Sequence, residues 1–304
     1  MAGRLVYWRF ISLAAVVLAG CSVIPKEASD AIVSATPEGM RGNVAAGMNV
    51  VRTVPVEEEV AIGKEEAGRL LGAAPLVKDQ KAQRYVNEVG NWVAAQAGRP
   101  ELTWRFGIID SPDINSFALP GGYIFITKGL YSNLSSEAQL AGVLGHEIAH
   151  VVKQHHVSNW KKSQAIAMGE KAGSAQLQKQ TGGNALGQEA VNNVLGNGAE
   201  MLARGLDRSA EEEADRLGVM YATKAGYSPW GLVDVLQTLS QINPSASGVA
   251  LLFKTHPQPQ VRLDALSVFM GDQFDTYAGY EGAGMLPTLA QAHKVVHHRA
   301  RRKA

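Results

Sequence analysis

The segment Val143–Trp160, VLGHEIAHVVKQHHVSNW, holds four of the chain's eight histidines, and the first two stand in His146-Glu147-Ile148-Ala149-His150. On a helix, positions four apart project about 40° from one another, so both imidazoles can reach one metal ion. Glu147 then stands beside them, where a carboxylate can take a proton from a water at that ion. A catalytic zinc takes three protein ligands and keeps one position open. The chemistry on offer is therefore metal-assisted hydrolysis, provided a third ligand exists and a helix carries the motif.

The nearest third ligand by spacing is His156, six residues after His150, where H-E-x-x-H-x-x-G-x-x-H enzymes carry a histidine. That arrangement needs the helix to stop at the glycine, and here the position is Lys153. Nothing from Val151 to Gln154 reads as a helix breaker. On a continued helix His156 projects about 240° from His150. His155 and His156 are accordingly read as non-ligands, with His155 a polar member of the helix's packed side.

A better source lies further on, in DRSAEEEADRLG, Asp207–Gly218. Ser209 with Glu212 spells a capping box, which predicts a helix start. Glu211 and Asp215 then share a face. One carboxylate can coordinate an ion while the other accepts the free N–H of a ligating histidine and fixes its tautomer. Acidic residues also suit a helix N-terminus without any metal, which accounts for Glu212 and, in part, Glu213. Spacing alone does not choose among the three glutamates.

The elements that must position these groups are legible in outline. Ser135 is the expected cap of the H-E-x-x-H helix, Glu137 suits its first turn, and Leu140, Leu144, Ile148 and Val151 form its apolar stripe. Val56–Leu71 and Lys78–Ala97 read as amphipathic helices, the second through Tyr85, Val86, Val89, Trp92 and Val93. Leu102–Asp110 and Tyr123–Thr127 read as strands joined through SPDINSFALPGG. The second, YIFIT, is a place where a substrate could add as an extra strand, with ordinary core pairing the equal alternative. After Ser136 the signals are almost all helical. The expected class is α+β, mainly helical: a zincin-like metalloprotease domain with a small β-sheet and an active-site helix.

At 304 residues, 46% apolar and 19% charged with net charge +1, the composition is that of an ordinary globular chain. It gives no basic stripe that would speak for a nucleic-acid partner. Residues 1–20 carry Arg4 and Arg9 ahead of a short apolar run, which is the pattern of an export signal and too short to span a bilayer. The only cysteine, Cys21, follows directly in LAGCS. This resembles a bacterial lipobox, and Ser22 after it resembles the outer-membrane sorting pattern. The expected organisation is a signal peptide over 1–20, a lipidated N-terminus and tether over 21–55, a metallopeptidase domain over 56–285 and a basic tail over 286–304.

H-E-x-x-H followed by E-x-x-x-D resembles the gluzincin family of zinc metallopeptidases that takes in the CAAX prenyl proteases, the membrane protease HtpX and the periplasmic protease BepA. NSFALPGGYIFITKGL, LAGVLGHEIAHVV, RSAEEEADRLG and THPQPQVR agree in order, over about Val56–Leu266. The resemblance implies one Zn2+ per chain, held by His146, His150 and Glu211, with Asp215 and Arg208 in support. Asp207 stands where relatives commonly have Ser. The H-P motif at His256 implies a latch over the site, in which His256 supplies a fourth ligand and closes the tetrahedral position.

The implied activity is a zinc-dependent endopeptidase of the bacterial envelope, with Glu147 as general base. Expected partners are unfolded or misassembled outer-membrane proteins, the membrane through Cys21, and the outer-membrane assembly machinery. The competing class is a zinc-bound chaperone or assembly factor, which would have no use for the base Glu147.

Overall fold

The computed structural model describes residues 24–159, 161, 206–244, 246, 248–256 and 258–277. Cys21, the export signal, residues 162–205 and the basic tail lie outside the described residues. The chain divides into two compact units, residues 1–55 with 161–184, and 56–160 with 185–304.

In the first unit the segment read as a tether folds into two helices, α1 (Lys26–Ala35) and α2 (Glu38–Val51). Pro25 and Pro37 precede them, each with an extended backbone that ends one element and opens the next. Arg41 closes the α1 end by donating from Nε to the Thr36 carbonyl at 2.8 Å. A bridge between Ile24 and Arg52 ties the two ends of the pair together.

The second unit begins with α3 (Val56–Ala73) and α4 (Gln80–Ala94). Asp79 caps α4, accepting from the Lys81 and Ala82 amides. The predicted apolar face of α4 is buried at Tyr85, Val86, Val89 and Val93, whereas Trp92 is exposed and donates to the Ala225 carbonyl. Three strands follow: β1 (Arg105–Ile109), β2 (Ser116–Leu119) and β3 (Tyr123–Thr127). The order is β1-β3-β2, parallel between β1 and β3 and antiparallel between β2 and β3.

YIFIT is thus the central strand, paired on both sides, and does not offer an edge. The connection SPDINSFALPGG contains a strand of its own, β2, whose four residues are too few to show a period. The outer side of β1 is also occupied. Gln83 of α4 donates to the Ile108 carbonyl (2.8 Å) and accepts from its amide (2.9 Å), and Asn87 does the same at Phe106. The side of β2 away from β3 carries no strand among the described residues.

The short helix α5 (Lys128–Asn133) leads to α6 (Glu137–Val152), the H-E-x-x-H helix. Its cap is Ser136, which accepts from the Gln139 amide, one residue later than expected. The stripe Leu140, Leu144, Ile148 and Val151 is buried, but so is every other residue from Glu137 to Val151, so α6 runs through the core. Packed on it are α7 (Arg208–Lys224) and α8 (Gly231–Ser240), followed by α9 (Ala250–Thr255) and α10 (Pro259–Met270).

Helix α7 starts at Arg208 with Asp207 in the capping position and no side-chain cap. Ser209 already lies inside the first turn, so the expected capping box does not form. The crossing of α6 and α7 depends on two glycines. A Cβ on Gly145 would sit 2.7 Å from the Gly218 carbonyl oxygen, and one on Gly218 would sit 2.7 Å from the His146 amide nitrogen. Only hydrogen at both positions lets the backbones touch, and this contact sets the acidic start of α7 against the histidines of α6.

Candidate metal centre

Helix α6 presents His146 and His150, and both rings are buried. Their Nε2 atoms are 3.0 Å apart. From α7, Glu211 brings one oxygen to 3.7 Å from His146 Nε2 and the other to 3.5 Å from His150 Nε2. His256, the extended residue that ends α9, sets its Nδ1 2.8 Å from Glu211 Oε2. These four groups have ligand atoms within 4.8 Å of one another and are all buried.

Donors around a tetrahedral zinc at roughly 2.0–2.1 Å lie about 3.3–3.5 Å from one another, and the spacings here, from 2.8 to 3.7 Å, fall on either side of that value. Glu211 Oε1 is moreover buried without a hydrogen-bond partner. A buried carboxylate oxygen of that kind is costly unless a cation completes it. Two imidazoles, a carboxylate and a third imidazole are a donor set that suits zinc.

The electrostatics hold Glu211 and His150 in ligating form. Burial by itself would raise the Glu211 carboxyl, but His256, His146 and Arg262 around it hold it down to about 2. Burial keeps the His150 imidazole neutral far below its ordinary range. His256 goes the other way: burial would lower it, and Glu211 beside it more than compensates.

Asp215, one turn after Glu211, accepts from His146 Nδ1 at 2.8 Å, which leaves His146 Nε2 facing the cluster. It is gripped in turn by Arg262 of α10, whose Nε donates to Oδ2 at 2.9 Å while a terminal nitrogen donates to Oδ1. Arg262 Nη2 also lies 3.2 Å from His146 Nδ1. Since that Nδ1 carries the proton given to Asp215, this approach is a packing contact between two donors.

Glu147 is buried and turned toward β2, where the Ser116 hydroxyl donates to its Oε1 at 2.6 Å. Beside it opens a pocket lined by Leu130, Val143, Leu232, Val235, Leu239 and Leu252, with His146, Glu147 and His256 at its polar side.

Two expectations need correction. Arg208 does not join the site: its side chain is 68% exposed and, among the described residues, pairs with Glu212 at 3.5 Å. The cation at Asp215 is Arg262, the last residue of the THPQPQVR segment, and no spacing rule connects it to a partner 47 positions away. The active-site helix also does not continue to His156 as expected. It stops at Val152, Gln154 takes a left-handed backbone (φ 53°), and residues 155–159 form a new helical turn. The cause is tertiary, because the Gln154 side chain donates to the buried Glu59 at 2.8 Å. The projection that sent His156 away from His150 therefore fails, and the two ring centres lie 5.7 Å apart. His155 is packed, its side chain 10% exposed, and lies against His150 with their Nδ1 atoms 2.9 Å apart. Ser116 was missed as well, although it stands in the quoted NSFALPGG segment.

A helix bearing H-E-x-x-H in the core, crossed by a second helix that brings a glutamate and an aspartate, over a small mixed sheet, is the architecture of a zincin-like metallopeptidase. The sequence pattern of peptidase family M48 matches residues 80–269, and the chain belongs to that family. It is 27% identical over 218 residues to the beta-barrel assembly-enhancing protease of Yersinia pestis, covering 71% of this chain and 45% of that protein. The putative beta-barrel assembly-enhancing protease of Vibrio cholerae is 29% identical, over 69% of this chain and 44% of its own length. The mitochondrial metalloendopeptidase OMA1 of Schizosaccharomyces pombe is 31% identical over 59% of this chain and 50% of its own. The matched region thus spans half or less of these relatives' own lengths.

Proposed function

We propose that this chain is a zinc-dependent endopeptidase of the bacterial cell envelope, holding one Zn2+ through His146, His150 and Glu211 and cleaving misfolded or unassembled proteins. The observation that carries the reading is the buried quartet of donors with the partnerless Glu211 oxygen, beside a buried Glu147. Zinc, when bound there, acidifies a water and polarises the scissile carbonyl.

The chain's own groups do the rest. Glu147 takes the proton of the attacking water and delivers it to the leaving amine, with Ser116 fixing the orientation of its carboxylate. Asp215, steadied by Arg262, keeps His146 in the tautomer that ligates. The side of β2 that carries no strand among the described residues receives the substrate backbone as an added strand, since β3 is paired on both sides and α4 covers β1. The apolar pocket beside Glu147 takes one apolar side chain of the substrate. Backbone pairing with one apolar anchor suits unfolded chains, which expose both.

His256 is proposed as a latch. Its contact with Glu211 supports a resting state in which it fills the zinc's open position until the α9 end moves. The two bacterial relatives are named for enhancing β-barrel assembly, which supports unassembled outer-membrane proteins and their assembly machinery as substrates and partners. Cys21 is proposed as the lipid anchor that holds the enzyme at the outer membrane, facing the periplasm. No helix among the described residues is long and apolar enough to cross a membrane.

The test is digestion of an unfolded β-barrel protein by the purified chain. Cleavage should be abolished by a zinc chelator and restored by added zinc. Binding of the unfolded protein without chelator-sensitive cleavage would replace this reading with that of a zinc-bound assembly factor.

A further inference from the structure

We propose that Glu213 and His155 form a relay that fixes the tautomer of His150 and thereby sets how tightly this chain holds its metal. The inference rests on the metal-centre reading above. His155 Nε2 lies 3.2 Å from Glu213 Oε2, and its Nδ1 lies 2.9 Å from His150 Nδ1. His150 Nε2 faces the donor cluster, 3.5 Å from Glu211 Oε1. An ionised carboxylate only accepts hydrogen bonds, and Lys153 Nζ at 2.5 Å keeps charge opposite Glu213.

The assignment then runs one way along the chain of atoms. His155 must donate from Nε2 to Glu213. A neutral imidazole has one N–H, so His155 Nδ1 is an acceptor. His150 must therefore donate from Nδ1, and its Nε2 lone pair is left for the metal. The opposite tautomer of His150 would set two lone pairs against each other at 2.9 Å and turn an N–H toward the ion. His146 is fixed by a carboxylate directly and His150 by a carboxylate acting through a second imidazole.

The fold goes to some length to make this contact. His155 reaches back over His150 only because α6 stops and Gln154 turns into the left-handed region, held by Glu59. Glu59 is fully buried and also accepts from Arg99 Nη2 and the Gly121 amide, both at 3.1 Å. The side chain of His155 is 10% exposed, while Glu213 lies at the surface end of the relay. Neither residue is one of the four donors: His155 acts through His150, and Glu213 acts through His155, so both are positioning residues.

The experiment measures zinc affinity of the full chain by competition with a chromophoric chelator, and the His150 tautomer in the zinc-free protein by 15N-histidine NMR. Losing an outer hydrogen bond to a ligand typically weakens metal binding about 10–100-fold, and His155→Ala is expected in that range, with the His150 Nδ1–H signal lost. His155→Gln should recover most of the affinity, because its amide can accept from His150 and donate to Glu213. Glu213→Ala, at a partly exposed site that leaves folding intact, should weaken binding in the same direction. The relay is overturned if wild type binds one zinc and either Ala variant matches its affinity with the tautomer unchanged. It is equally overturned if His155→Gln is as weak as His155→Ala, which would make His155 a packing residue. A wild-type chain that binds no zinc would sink the metal-centre reading and the relay with it.

Discussion

Asp215 shows how much a single side chain in this centre has to satisfy. It is buried, charged, gripped by Arg262 and bonded to His146. Burial alone would raise its carboxyl, but the Arg262 and His146 contacts hold it well below the usual range. A depressed carboxylate contributes stability that is fully present above its unfolded pKa of about 3.9 and is lost as pH falls through the lower folded value. The metal-free protein should therefore lose this contribution below about pH 4. Arg262→Ala leaves Asp215 buried without its cation, a change that typically costs about 3–5 kcal/mol. Urea unfolding at pH 7 should register a loss of that size, and the gap between variant and wild type should narrow in acid. A variant as stable as wild type would mean that His146 alone neutralises Asp215. His146, Glu147 and His150 were legible from residue types and spacing. Arg262 and Ser116 were not, because a charge or hydroxyl acquires its role here from a partner in another element.

At the scale of elements, the α6–α7 crossing decides whether Glu211 reaches the histidines. Gly218→Ala would place a methyl against the His146 backbone. Overpacking of this kind costs about 1–3 kcal/mol, and the relief available is to slide α7 away from α6. The variant should melt earlier without metal and bind zinc more weakly, both readable from thermal unfolding with and without zinc. Unchanged zinc affinity would show that the crossing has slack.

The same scale explains which elements the sequence announced. The buried face of α4 and the apolar stripe of α6 recur at helical spacing, and β3 is a run of β-formers, so all three were readable. The four residues of β2 lack the length to declare a period. The end of α6 is written in Gln154, whose reason for leaving the helix is Glu59, 95 residues earlier. A helical projection cannot contain that information, so the fate of His155 and His156 was misread from it.

At the scale of the molecule, the account describes an enzyme at rest with His256 seated among the donors. His256→Ala should keep zinc, since His146, His150 and Glu211 remain, and should raise basal cleavage of an unfolded protein or leave it intact. A large fall in cleavage with zinc retained would make His256 a contact to substrate and would end the latch idea. The central claim is that Glu147 works as the base of a metal-assisted hydrolysis, and the direct measurement compares wild type with Glu147→Gln for bound zinc and for cleavage of the same unfolded β-barrel protein. The account predicts one zinc per chain in both and cleavage reduced about 10²–10⁴-fold in the variant. Comparable cleavage by the two would contradict it.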